Sequence, residues 1–211
     1  MPNSSIERYA QYFSRSRAEV EADLQVYEGL LRRWQAVQNL VSRETLVQVW
    51  TRHFADSLQT LALVQAEDRN FLDLGSGGGL PALPMAIALK DTPAQFTLVE
   101  PTGRKVSFLR TVARELDLAV TVIPKRSNEI DSRETATPDV ITSRALAALP
   151  QLCGMMQPFF GPNTRALLHK GREYGEEISE SRALWAFDVV VAQSDTDPHG
   201  VLLELTELRS R

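Results

Sequence analysis

A single cysteine in 211 residues rules out an intrachain disulfide framework. Cys153 stands in "PQLCGMMQPFF", an apolar setting that predicts a buried side chain and not a nucleophile or metal ligand. Histidine is almost as scarce, and neither His169 nor His199 has ligating residues clustered beside it, so no metal site is expected. No apolar run approaches the roughly 20 residues of a membrane span. The N-terminal "MPNSSIERYAQYFSRSR" lacks the uninterrupted apolar stretch of an export signal, which points to a cytoplasmic protein with no membrane partner. Base is not in excess either. A formal net charge of −4 argues against a protein that coats nucleic acid through charge alone. The charge is uneven along the chain: Arg104 to Arg126 holds six bases against two acids, whereas Tyr174 to Arg211 holds three against eight.

What is present is the balance of an ordinary globular protein, 43% apolar and 24% charged, in a length suited to one α/β core with an appendage. Val20, Leu24, Tyr27, Leu31 and Trp34 fall on one face of a helix. After a break at "NLVS" from Asn39, residues Leu46, Trp50, Phe54, Leu58 and Leu61 mark a second helical stripe. Tyr27, Trp34 and Trp50 are expected to pack where these helices meet the rest of the chain. From Asn70 the texture changes to β-rich runs starting at 71, 95, 119, 138, 165, 188 and 201. Helical stretches roughly over 80–90, 103–117, 146–159 and 173–184 separate them, as in a parallel sheet covered by helices. "SDTDPHG", between the last two runs, is too short for a crossover helix, so those strands should pair antiparallel.

The segment "FLDLGSGGGLP", Phe71 to Pro81, reads as a strand, a tight loop and the start of a helix. Glycine there permits positive φ and close approach of a ligand to backbone N–H groups, and Pro81 suits a helix start because its missing N–H had no partner to lose. The spacing is D-x-G-x-G-x-G from Asp73 through Gly75, Gly77 and Gly79, with Leu80 where the dinucleotide fingerprint has its last glycine. That spacing favours S-adenosyl-L-methionine over a nicotinamide dinucleotide. Glu100 ends the next strand, where a carboxylate can accept both hydroxyls of an adenosine ribose. The expected fold is therefore α/β and Rossmann-like. It is a class I S-adenosylmethionine-dependent methyltransferase sheet of seven mostly parallel strands with an antiparallel last strand, plus an N-terminal helical extension. The expected division is an extension over 1–66 packed on a core over 67–211.

The phrases "NLVS" at 39, "RHFADS" at 52, "FLDLGSGGGLPALPMAIA" at 71, "LVEPTGRKVSFLR" at 98, "ITSRALAAL" at 141 and "HKG" at 169 together resemble the glucose-inhibited division protein B family. The resemblance implies a 16S ribosomal RNA guanine-N7 methyltransferase acting on guanine 527, with S-adenosylhomocysteine as product. It implies that Gly75 and Leu80 hold the methionine part of the donor and Glu100 the ribose. Ser127 and Asn128 would flank the adenine, and Arg144 would sit at the mouth of the site. Because guanine N7 keeps a free lone pair, no proton-removing residue is sought. Arg144, His53, Asp56 and Lys170 are the candidates for positioning the substrate. Arg104, Lys105, Arg110, Lys125, Arg126 and Arg172 are weaker candidates for RNA contact, against the reading that they form a solvated face. The expected partner is 16S rRNA within the small ribosomal subunit or an assembly intermediate, and a monomer is expected. A small-molecule methyltransferase, or a donor-binding regulatory protein without transfer activity, remains open at this point.

Overall fold

The computed structural model describes residues 5–211; the first four residues of the N-terminal stretch discussed above lie outside the described residues. Seven strands form one sheet in the order β3-β2-β1-β4-β5-β7-β6. They are β1 (Asn70–Leu74), β2 (Gln95–Val99), β3 (Val120–Ile123), β4 (Val140–Arg144), β5 (Arg165–Lys170), β6 (Trp185–Gln193) and β7 (Val201–Ser210). The first five run parallel, and β7 is antiparallel to both β5 and β6. The expected hairpin is present, with Gln193 opposite Val201 across the turn. Alternation along the strands sends successive side chains to opposite faces. Phe71 joins a cluster with Met85, Phe96 and Phe108, whereas Leu72 and Leu74 join one with Ile141, Leu152 and Leu203.

Helices α3 (Ala82–Ala88) and α4 (Gly103–Glu115) belong to the first cluster, and α5 (Leu149–Met156) to the second, with α6 (Tyr174–Ser181) packed against it. Cys153 is fully buried in α5, and burial pushes its thiol up to about 12. The N-terminal helices enter the first cluster as well. Helix α1 (Arg17–Gln35) starts at a capping box in which Ser16 and Glu19 satisfy each other's backbone N–H groups. It buries Val20, Leu24, Tyr27 and Leu31. Tyr27 stacks on Phe54 with ring centres 5.3 Å apart, and both Tyr27 and Trp34 tilt against Phe108 of α4.

The second helical stripe differs from a plain α-helix. Thr45–Gln48 is 3-10, Trp50–Ala55 is π-helical, Asp56–Leu58 (α2) is α-helical and Gln59–Leu63 is again 3-10. The cause lies in the spacing of Leu46, Trp50, Phe54 and Leu58, which is four at every step. An α-helix turns about 100° per residue, so each step of four overshoots a full turn by about 40°. The wider i→i+5 turn over Trp50–Ala55 takes up that overshoot and keeps Trp50, Phe54 and Leu58 all buried. It also brings His53 and Asp56 to the sheet end that carries the glycine loop.

Between β1 and β4 the strand order reverses, and ligands of such sheets bind outside the carboxyl ends of the strands at that reversal. The glycine loop leaves β1 there, Glu100 follows β2, Arg144 ends β4 and Lys170 ends β5.

Candidate active site

The loop after β1 is held mostly by the protein itself. Gly75 and Ser76 donate to the Val99 carbonyl, both at 3.0 Å, and Gly79 donates to Ser76. Gly77 donates to Glu100 Oε2 at 3.0 Å. Of the N–H groups from Gly75 to Leu80, only those of Gly78 and Leu80 have no partner among the described residues. This departs from the expected array of free donors. The glycines divide accordingly. Gly79 has φ +88°, and a Cβ there would overlap Leu83. Gly78 lies under the Leu40 carbonyl, 3.1 Å from where a Cβ would stand, and its own carbonyl accepts the Tyr27 hydroxyl. Gly77, at φ +54°, would meet nothing closer than 3.8 Å and faces open space. Gly75, at φ +70°, would place a Cβ 2.5 Å from Leu146, so three glycines admit the protein's own groups and Gly77 alone of the four leaves room for a ligand.

That space is a cavity of about 930 Å³, within the usual range for small-molecule sites. Gly75, Gly77, Leu80 and Glu100 line it from the sheet, Asn39 to Arg43 and Thr45 from the N-terminal extension, and Lys105 from α4. Glu100 is only 4% exposed. Its carboxylate accepts from Gly77 and, at 2.9 Å, from Thr102 N–H. A carboxylate offers about four lone-pair sites, so two remain for the two hydroxyls of a ribose. Asp73 sits below the loop and outside the cavity wall. It accepts the Thr142 hydroxyl at 2.6 Å through Oδ1, while Oδ2 has no partner among the described residues. Burial raises its carboxyl to about 7, and the Glu100 charge adds to the rise.

Arg144 joins the sequence-predicted positioning residues. Its guanidinium lies 3.1 Å from Asp56 Oδ2 and donates to the Arg52 carbonyl and to His53 Nδ1, both at 3.0 Å. Because Nδ1 accepts, the His53 proton resides on Nε2, which donates to Thr45 Oγ1 at 2.9 Å. Burial, and then the Arg144 charge, push His53 down to about 4, so the ring is neutral near pH 7. Asp56 Oδ1 accepts from Gln59 and Thr196, the latter in the β6–β7 turn. His169 completes the group: Nε2 lies 2.9 Å from the Asp56 carbonyl, Nδ1 has no partner among the described residues, and burial lowers its pKa. Sequence reasoning set His169 aside for want of neighbours, although it opens the quoted "HKG" phrase at the end of a strand.

Other predicted residues are placed differently. Lys170 Nζ donates to the Ala147 carbonyl at 2.8 Å and to Glu177 at 2.6 Å, so its charge is already paired. Ser127 and Asn128 form a 3-10 turn after β3 and do not line the cavity. Arg110 donates to the Val122 carbonyl, Lys125 pairs with Glu134 and Arg126 with Glu129. Arg104 and Arg172 are exposed with no side-chain partner among the described residues, and Lys105 faces the cavity. The wall supplied by Asn39 to Thr45 was missed as a site element, although "NLVS" was among the quoted phrases. No helix among the described residues is long and apolar enough to cross a membrane.

Comparison with known proteins agrees with this geometry. Among solved structures, a SAM-dependent methyltransferase from Aquifex aeolicus superposes with a TM-score of 0.58 at 12% identity, covering 83% of this chain and 97% of that one. A TehB-like SAM-dependent methyltransferase from Corynebacterium glutamicum also gives 0.58 at 12% identity, covering 86% and 98%. These likenesses establish the methyltransferase fold. Closer in sequence is the ribosomal RNA small subunit methyltransferase G of Chelativorans sp., 42% identical over 88% of each chain. That of Bartonella tribocorum is 40% identical over 99% of each. The model of the GidB family, described as rRNA small subunit methyltransferase G, matches residues 20–200. This chain therefore belongs to the rRNA small subunit methyltransferase G family.

Proposed function

We propose that the protein transfers a methyl group from S-adenosylmethionine to N7 of a guanine in 16S rRNA, acting as a monomer on the small ribosomal subunit or an assembly intermediate. The observation that carries the reading is Glu100. It is a buried carboxylate with two lone-pair sites free, and it faces the cavity above the side-chain-free Gly77. This arrangement fits an adenosyl group: Glu100 would hold the ribose hydroxyls, and the N–H groups of Gly78 and Leu80 would meet the polar tail. When bound, S-adenosylmethionine supplies an electrophilic methyl group on a sulfonium. Glu100 supplies the negative charge there, while the raised pKa of Asp73 avoids a second full charge behind the loop.

Guanine N7 takes no part in Watson–Crick pairing and carries a lone pair, so the residues need only place it and exclude water. Orientation of reacting atoms at about 3 Å supplies much of the acceleration in such a transfer. Arg144 is suited to that task, because Asp56, His53 and the Arg52 carbonyl fix its guanidinium at the cavity rim. His53 is a positioning residue that ties Arg144 to Thr45 of the cavity wall. The exposed cations Arg104 and Arg172, together with Lys105, are the RNA contacts this reading retains.

The test incubates the purified protein and labelled donor with small subunits, and with naked 16S rRNA, both lacking the modification. N7-methylguanine is then mapped by reductive strand cleavage. Label at one guanine is expected, more efficiently in the subunit. Donor binding without transfer to either RNA form would overturn the reading.

A further inference from the structure

The 930 Å³ cavity has a neighbour of about 490 Å³ beyond the ends of β4 and β5, and Arg144, Ala145 and Leu146 line both. These three residues mark the border where the two cavities meet. In the smaller cavity nearly every polar side chain is engaged. Asp56 is held by Gln59, Thr196 and Arg144, and Asp197 accepts from Arg52 and from His199 N–H. Lys170 is held by Ala147 and Glu177. Glu177 itself is half engaged. Its Oε2 accepts from Leu149 N–H and from Lys170 Nζ, both at 2.6 Å, which fixes the side chain. Its Oε1 has no partner among the described residues, and the side chain is 20% exposed on the cavity wall. His169 also lines this cavity, but its Nδ1, without a partner among the described residues, is buried from it.

We propose that the smaller cavity receives the acceptor base and that Glu177 reads it as guanine, its free oxygen accepting from the N1–H and the N2 amino group. The inference rests on the guanine reading above. Guanine presents two donors on that edge, whereas adenine presents the N1 acceptor, which a carboxylate repels. With that edge on Glu177, N7 lies on the far side of the ring, and transfer requires it to face the border with the donor cavity at Arg144 to Leu146. The N7 lone pair forms the new bond to carbon as the carbon–sulfur bond breaks, its electrons remaining on sulfur, and no proton leaves the base. The purine becomes cationic, which makes N1–H a stronger donor. The bond to Glu177 therefore strengthens as the reaction proceeds, and this is the form of binding that accelerates a step. The Lys170 and Leu149 contacts hold the carboxylate in place beforehand.

The experiment measures methyl transfer to small subunits assembled with guanosine or inosine at the mapped position, for the wild type and for Glu177→Gln. Inosine keeps N7 and N1–H but lacks the amino group. In the wild type, inosine should lower kcat/KM about tenfold, the scale of one charge-assisted hydrogen bond. In E177Q the guanosine rate should fall, and inosine should then differ from guanosine by less than about threefold. Affinity for S-adenosylhomocysteine, which binds in the other cavity, should stay within about threefold and serves as the check on folding. No inosine penalty in the wild type, or the same penalty in both proteins, overturns the inference while leaving guanine methylation standing. No transfer to guanosine-containing subunits overturns both.

Discussion

Replacing Glu100 by Gln tests the donor site most directly. The carboxylate accepts from Gly77 through Oε2 and from Thr102 through Oε1. An amide placed either way turns its NH2 toward one of those N–H groups, and it leaves a single oxygen where two hydroxyls need acceptors. Hydrogen bonds to charged groups contribute about 1.5–3 kcal/mol each. Losing one and weakening the other amounts to about 3 kcal/mol, or about hundredfold in Kd. Gly77 is partly exposed and Thr102 exposed, so water can satisfy their N–H groups and the fold should lose little. Titration calorimetry with S-adenosylhomocysteine and with its 2′-deoxy analogue, on both proteins, measures the coupling between the carboxylate and that hydroxyl. A Kd shift below about threefold, or an analogue penalty equal in both proteins, would refute the assignment of Glu100 to the ribose.

The loop glycines should separate in the same assay. Gly77→Ala and Gly79→Ala both place a Cβ at positive φ, a strain of about 1–2 kcal/mol that lowers Tm in each. Gly79→Ala adds overlap with Leu83 and should lower Tm further in a thermal melt, whereas Gly77→Ala, with no atom closer than 3.8 Å, should weaken donor binding the more. His53 titrates near 4 in the fold against about 6.5 in the unfolded chain, which therefore takes up its proton first as pH falls. The stability it contributes is full above pH 6.5 and is lost down to pH 4, about 3 kcal/mol at the limit, so His53→Asn should flatten the melting profile across that window. Asp73 works in the opposite sense: with its pKa raised to about 7, stability falls as pH rises from about 4 to 7, and Asp73→Asn should remove that slope. Arg144→Lys keeps the charge but cannot reach Asp56, His53 and the Arg52 carbonyl together. Methyl transfer to the small subunit should fall at least about tenfold.

The sheet was legible because each strand is a short apolar or β-branched run bounded by turn residues, and the seven-residue link before β7 permits only a hairpin. Glu100 was legible for the same reason, since the end of a strand defines where its next side chain stands. The π-helical turn was not, because its cause is a spacing of four that looks like ordinary helical periodicity until the overshoot is summed. Glu177 was hidden in an acidic stretch where charge reads as a solvated face, and only its contacts with Lys170 and Leu149 distinguish it from Glu176. The four glycines of the loop read alike in sequence. Which of them leaves open space and which meet Leu146, Leu40 or Leu83 depends on how neighbouring and distant segments pack on the loop.

Tyr27 of α1 reaches the Gly78 carbonyl while its ring sits between Phe54 and Phe108. One side chain therefore belongs at once to the interior and to the floor of the cofactor chamber. A chimera that borrows the segment ahead of β1 from another relative would transplant half of each, and the graft would hold only if residues matching Gly78 and Phe108 travelled with it.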